Sequence, residues 1–136
     1  VFPDAGAAKR YPDIINRMPM SPIARMRTLS IAKIRDFTTG NIKEIKIANN
    51  QDTYDLPKTA IIIDDLCSKG GTFLGAAAAL KEAGVEVVYL VVAHAEKAIL
   101  DGGICSSDLI EEVYTTNTII SKEDVCLTKI KIFNLG

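Results

Sequence analysis

Residues 60–72 read Ala-Ile-Ile-Ile-Asp-Asp-Leu-Cys-Ser-Lys-Gly-Gly-Thr: a β-branched run that meets two carboxylates and then a glycine-rich loop. Ile61, Ile62 and Ile63 favour a buried strand, with Asp64 and Asp65 at its carboxyl end. After a polar loop from Cys67 to Thr72, the helical spacing of Phe73, Ala77, Leu80 and Gly84 predicts a helix beginning at Phe73. Thr72 takes its N-cap position and Gly84 the C′ position that ends it. Val85 to Ala93 (VEVVYLVVA) predicts a second, near-continuous apolar strand. Strand, helix and strand at this spacing make a right-handed βαβ unit, and strands apolar throughout imply a parallel sheet covered on both faces. The fold class is therefore α/β, three-layered, with a mainly parallel central sheet.

In such sheets ligands bind beyond the carboxyl ends of the strands, which is where Asp64 to Thr72 would lie. A glycine-rich turn lets backbone N–H groups approach a phosphate, and the following helix adds the positive end of its dipole. Carboxylates beside an anion-binding loop suit a ligand that carries both hydroxyls and phosphate, a sugar phosphate.

Upstream, Phe2 to Tyr11 (FPDAGAAKRY) reads as a strand end, a turn and a helix start. Asp4 can cap a helix running to about Arg17, with Ala7, Tyr11, Ile14, Ile15 and Met18 along one face. An ordinary N-cap would explain Asp4 without any function. Residues 20–27 are irregular around Pro19 and Pro22. Thr28 to Ile34 and Ile42 to Ala48 predict two strands around the polar segment DFTTGN. Lys33 and Arg35 lie two apart, so an extended chain points both to one side, where they could grip a polyphosphate or stabilise charge on a transferring group. A solubilising edge strand is the simpler local explanation of both. Asn49 to Lys58 is a turn-prone connection. Later come a short helix at Glu96 to Leu100 ended by Gly102-Gly103, and strands at Glu111 to Thr116 and Lys129 to Leu135. His94, the only histidine, could touch a ligand at the strand end but reads more readily as a structural residue.

Composition narrows the classes. The 136 residues are 48% hydrophobic, enough for one domain with a core. No apolar run reaches the roughly 18 residues a membrane span needs, and there is no signal-peptide pattern. Cys67, Cys105 and Cys126 share no metal-ligand spacing and read as free thiols of a cytoplasmic protein. Residues 1–50 carry nine Lys/Arg against four Asp/Glu, and residues 51–136 carry seven against thirteen. Aromatics make up 6% and do not interleave with the basic residues, so small anionic ligands are favoured over nucleic acid. The chain starts at Val1, immediately before the Pro3-Asp4 segment, a start that looks cut from something longer.

The acids after the strand have no GxxxxGK[ST] partner, which argues against a P-loop NTPase, and there is no GxGxxG dinucleotide fingerprint. A receiver domain would place its acidic pair after the first strand and make no use of the glycine-rich loop. Residues 61–84, IIIDDLCSKGGTFLGAAAALKEAG, closely resemble the phosphoribosyl pyrophosphate (PRPP) motif of the type I phosphoribosyltransferase fold. Three neighbours narrow the resemblance to ribose-phosphate pyrophosphokinase, the PRPP synthetase family. FPDAGAAKRY is similar to its PDxGxxKR segment, KIRDF to the Lys-x-Arg of its mobile catalytic loop, and VYTTNTI to the TNTI string near its C-terminus.

The resemblance implies the C-terminal half of such an enzyme over residues 1–136, without the N-terminal half that supplies most of the adenine site. It also implies transfer of the diphosphoryl group of ATP to ribose 5-phosphate, with magnesium, in a homo-oligomer. By position, Asp64 and Asp65 would hold the ribose hydroxyls. Ser68, Lys69, Gly70, Gly71 and Thr72 would bind the 5-phosphate, Asp4 would join the metal, and Lys33 and Arg35 would be catalytic. In that family the place of Ser68 is often an aspartate, Lys69 is unusual, and the residues after Arg35 are commonly Arg/Pro-rich. Two other functions stay open: a phosphoribosyltransferase that consumes PRPP, and a non-catalytic PRPP-synthetase-like subunit for regulation or assembly.

Overall fold

The computed structural model describes residues 1–10, 13, 17, 28–48, 56–125 and 128–135. Parts of the chain between them, including most of the expected first helix beyond Arg10, the irregular 20–27 segment, residues 49–55 and Cys126, lie outside the described residues. The described elements are α1 (Ala5–Arg10), β1 (Ile31–Arg35), β2 (Ile42–Ile47), β3 (Thr59–Cys67), α2 (Gly71–Glu82), β4 (Val87–Ala95), β5 (Glu112–Thr116) and β6 (Ile130–Phe133). Short 3₁₀ turns occupy Lys97–Leu100, Gly103–Ser106 and Lys122–Asp124.

The expected parallel sheet is present. Strands β3, β4, β5 and β6 lie side by side in that order, each pair parallel. On one face Ile62, Val88, Leu90, Val92 and Val113 are buried together with Phe73, Ala76, Ala77 and Leu80 of α2. Each large apolar side chain enclosed there contributes about 1.5–3 kcal/mol. The opposite face differs from the expectation of a sheet covered on both sides: Ile61 is 43% exposed, Val91 37% and Phe133 58%. A strand that is apolar at every position does not reveal which of its faces is less covered by the described residues.

Helix α2 ends as its glycine requires. Gly84 has φ 108°, its N–H donates to Lys81 O at 3.1 Å, and the Val85 N–H donates to Leu80 O at 3.1 Å, a Schellman closure. β1 and β2 form a separate antiparallel pair. Phe2 joins that pair to the main body: its N–H donates to Leu29 O at 2.8 Å and its carbonyl accepts from Ile31 N–H at 2.9 Å. Val1, next in the chain, pairs with β3 through Ile61 O and Ile63 N–H. Gly75 of α2 leaves room for Ile45 of β2, whose Cδ1 would stand 2.3 Å from any Cβ there. The β1–β2 pair is thereby held against the helix that opens the loop.

A capping box fixes the turn after β5. Asp124 accepts from Ser121 N–H and Oγ–H, both at 2.9 Å, and pairs with Lys97 at 3.0 Å. The Ser121 N–H, with Lys97 beside it, holds the Asp124 carboxyl down at about 2. Because the folded value lies below the unfolded one of about 3.9, the stabilisation is complete above about pH 4 and is lost as pH falls through about 2. Urea midpoints of the unmodified protein and Asp124→Asn are expected to differ at about pH 6 and to converge near about pH 2.

Candidate functional site

The acids sit within the strand and not beyond it. β3 continues through Asp64 and Asp65 to Cys67, with Leu66 paired to His94 and Cys67 to Ala95. The loop is therefore shorter than the sequence suggests, Ser68 to Gly70, and α2 starts at Gly71. Gly70, at φ 87°, is the N-cap, and Thr72 is the second helical residue instead of the cap expected from its type. The reason is steric as well as conformational, since a Cβ on Gly70 would lie 2.1 Å from Ile104 Cδ1. Among the described residues, the N–H groups of Lys69, Gly70, Gly71 and Thr72 find no acceptor, so they form the donor array that an anion at a helix N-terminus would use. Gly70→Ala is expected to cost about 2–4 kcal/mol of stability, read as a lowered urea midpoint, because left-handed strain and overpacking act together.

Asp64 is the more enclosed acid, its side chain 11% exposed. Its Oδ1 accepts the Asp65 N–H at 2.9 Å and meets Arg10 Nη2 at 3.3 Å. Burial pushes the Asp64 carboxyl up, with repulsion from Asp65 and Asp4 adding to the rise. Burial acts on Asp65 in the same sense, but the hydrogen bond from the Asp64 side chain and the Arg10 charge outweigh it and hold Asp65 low. The pair thus gains from any cation or hydroxyl donor that approaches it.

Lys33 is directed inward, its side chain 16% exposed. Its Nζ lies 3.5 Å from Thr72 Oγ1 and 3.8 Å from Asp4 Oδ2. Asp4 is an N-cap, the first of the two roles that its sequence context allows. Its Oδ1 accepts the Ala7 N–H at 2.8 Å as an N-cap, while Oδ2 faces Lys33. Arg35 goes elsewhere: it is exposed and donates to Gly40 O at 3.2 Å. The pairing register shifts between Ile34 and Arg35, so that Arg35 stands opposite Ile42 while Lys33 stands opposite Ile45. The turn after Arg35 is closed by Asp36, whose carboxylate accepts from Thr38 and Thr39 N–H. Ser68, Lys69 and Gly71 are exposed around the loop.

Arg10 is the site residue that reading by residue type missed; the clue was the Lys-Arg pair closing the PDAGAAKR segment, of which only Asp4 received a role. His94 is held in a polar chain: Nδ1 lies 2.6 Å from Thr118 Oγ1, itself 3.0 Å from Thr116 Oγ1. Asn117 of the TNTI string accepts the Leu135 N–H at 2.9 Å and so ties down the last strand. A cavity of about 340 Å³ opens beside Asp64 and Asp65, floored by Val91, Ala93, Tyr114 and Phe133. Among the described residues no group of three or more His, Cys, Asp or Glu gathers as a metal cage. A magnesium ion that arrives with phosphates needs only one or two protein carboxylates, and Asp4 Oδ2, part-exposed, suits that mode. No helix among the described residues is long and apolar enough to cross a membrane.

A four-stranded parallel sheet with this loop at its carboxyl edge is an α/β fold of the type I phosphoribosyltransferase kind. The phosphoribosylpyrophosphate synthetase of Mycobacterium smegmatis superposes with a TM-score of 0.63 over 98% of this chain and 39% of that one, at 23% identity. The family model described as phosphoribosyl synthetase-associated domain matches residues 23–136, and the chain belongs to that family. Curated relatives include ribose-phosphate pyrophosphokinase of Nostoc sp., 30% identical over 88% of this chain and 33% of the relative. Ribose-phosphate pyrophosphokinase 2 of Schizosaccharomyces pombe is 31% identical over 88% of this chain and 34% of its own length. The chloroplastic ribose-phosphate pyrophosphokinase 2 of Oryza sativa is 39% identical over 58% of this chain and 20% of its length. The chain spans between a fifth and about a third of these relatives.

Proposed function

We propose that this chain is the ribose 5-phosphate half of a ribose-phosphate diphosphokinase, which converts ATP and ribose 5-phosphate to PRPP and AMP. The observation that carries the reading is the placement of Lys33 Nζ between Thr72 of the loop and Asp4, 3.5 and 3.8 Å away. One cation thereby touches both the phosphate-binding end and the carboxylate that would meet the metal. The loop N–H groups and Thr72 hydroxyl hold the 5-phosphate, and Asp64 and Asp65 accept from the ribose hydroxyls. Ser68 and Lys69 line the phosphate side.

In the transfer, the anomeric oxygen of ribose 5-phosphate attacks the β-phosphorus of ATP and loses its proton. The bond from that phosphorus to the oxygen bridging the α-phosphate breaks, and AMP leaves. Charge spreads over phosphoryl oxygens during the passage, so fixed cations matter more than covalent chemistry. Lys33 supplies one, and Arg35 supplies a second once its side chain leaves Gly40 O. Asp4 would hold part of a magnesium ion, which would supply further positive charge to the transferring group. The adenine site and the homo-oligomer belong to the larger enzyme, acting in the cytoplasm.

Ser68, at a place often acidic in the family, favours a second reading as a non-catalytic subunit that binds the sugar phosphate for regulation or assembly. Two assays on the intact protein separate the readings. AMP formed only when ribose 5-phosphate accompanies ATP and magnesium supports the kinase. Calorimetric binding of ribose 5-phosphate with no AMP supports the subunit. Pyrophosphate released from PRPP with a panel of nucleobases would instead identify a phosphoribosyltransferase.

A further inference from the structure

The loop Ser68–Gly70 is seated on the turn that joins the two 3₁₀ segments after β4. Gly102, between them, lies so close to the loop that a Cβ there would stand 1.9 Å from Lys69 O and 2.8 Å from Lys69 C. Gly102 has φ −86° and ψ 174°, extended backbone open to any residue. What demands glycine at this position is the approach of the Lys69 carbonyl and not backbone strain.

That approach has a consequence for the loop's donors. All described peptide bonds are trans, so the Lys69 C=O and the Gly70 N–H of the same peptide plane point in opposite directions. A carbonyl pressed onto Gly102 therefore turns the Gly70 N–H away from the turn beneath. We propose that Gly102 is a positioning residue for phosphate binding: by admitting the Lys69 carbonyl it sets the peptide plane that presents the Gly70 N–H to a phosphate monoester.

The neighbouring glycine supplies a matched comparison. A Cβ on Gly103 meets only Leu74 Cδ1, at 3.0 Å, the far end of a flexible side chain. Gly102→Ala must drive the Lys69 carbonyl from 1.9 Å to beyond 3.0 Å, below which such contacts essentially never occur, and so must rotate or lift the Lys69–Gly70 plane. Gly103→Ala leaves that plane in place. A hydrogen bond to a charged group accounts for about a tenfold to hundredfold difference in affinity, so a loss of at least about tenfold in phosphate affinity is expected for Gly102→Ala.

The inference rests on the phosphate-binding role proposed above for the loop, and its test separates the two. Amide resonances of Ser68 to Thr72 in the intact protein are followed while inorganic phosphate is added, and the ribose 5-phosphate KM and kcat are measured beside them. Gly102→Ala is expected to weaken the phosphate response and raise the KM about tenfold or more, with kcat and the ATP KM within about threefold. Gly103→Ala is expected to match the unmodified protein in each. Equal phosphate affinity in Gly102→Ala and unmodified protein overturns the proposal. A phosphate response that depends on Gly102, in a protein that makes no AMP, sustains the seat and removes the proposed reaction. No phosphate response at the loop of the unmodified protein overturns both.

Discussion

Lys33→Ala is expected to lower turnover by a factor on the order of 10² or more, a loss of about 2.7 kcal/mol of transition-state stabilisation. The lysine is enclosed, its side chain 16% exposed, between an uncharged hydroxyl and one carboxylate. Enclosure keeps water from screening the charge, so its effect on a transferring diphosphoryl group is larger than that of a surface lysine. The ground state gains less, because in the proposed site backbone N–H groups already meet the 5-phosphate. The ribose 5-phosphate KM is accordingly expected to move less than kcat in steady-state assays of AMP formation. Turnover equal to that of the unmodified protein would remove Lys33 from the mechanism.

Asp64→Asn is expected to reduce kcat/KM for ribose 5-phosphate by about 30- to 100-fold. Hydrogen bonds to a charged acceptor contribute about 1.5–3 kcal/mol each, and the amide keeps the shape while losing the charge. The change also breaks the contact with Arg10, which is half exposed on the arginine side. Exposed pairs of that kind contribute at most about 1 kcal/mol, so the thermal midpoint should shift little. A large fall in stability with unaltered kcat/KM would reassign Asp64 to a purely structural role.

The parallel sheet was readable because β-branched strands and an alanine-rich helix repeat with different periods, and Gly84 marked the helix end unambiguously. Two features escaped. β3 is longer than its residue types predict, because Asp64 and Asp65 are poor strand formers; pairing as far as Cys67 with Ala95 carries the strand past them. Hydroxyl chemistry points to Thr72 as the N-cap, whereas the close approach of Ile104 selects Gly70, and a contact 34 residues distant leaves no local trace. At the site, Asp4, Lys33 and Thr72 are brought together as their types suggest. Arg10 depends on where a helix lies in space, and the separation of Arg35 from Lys33 goes with a register shift against β2. Neither is written in residue spacing.

The most direct measurement is phosphorus NMR of the intact protein mixed with ATP, ribose 5-phosphate and magnesium. The expected result is a new pair of coupled diphosphate signals on the sugar, growing in step with AMP and abolished by removing magnesium or by Lys33→Ala. Formation of ADP in place of AMP, or no change in any signal while ribose 5-phosphate is shown to bind, would contradict diphosphoryl transfer at this site.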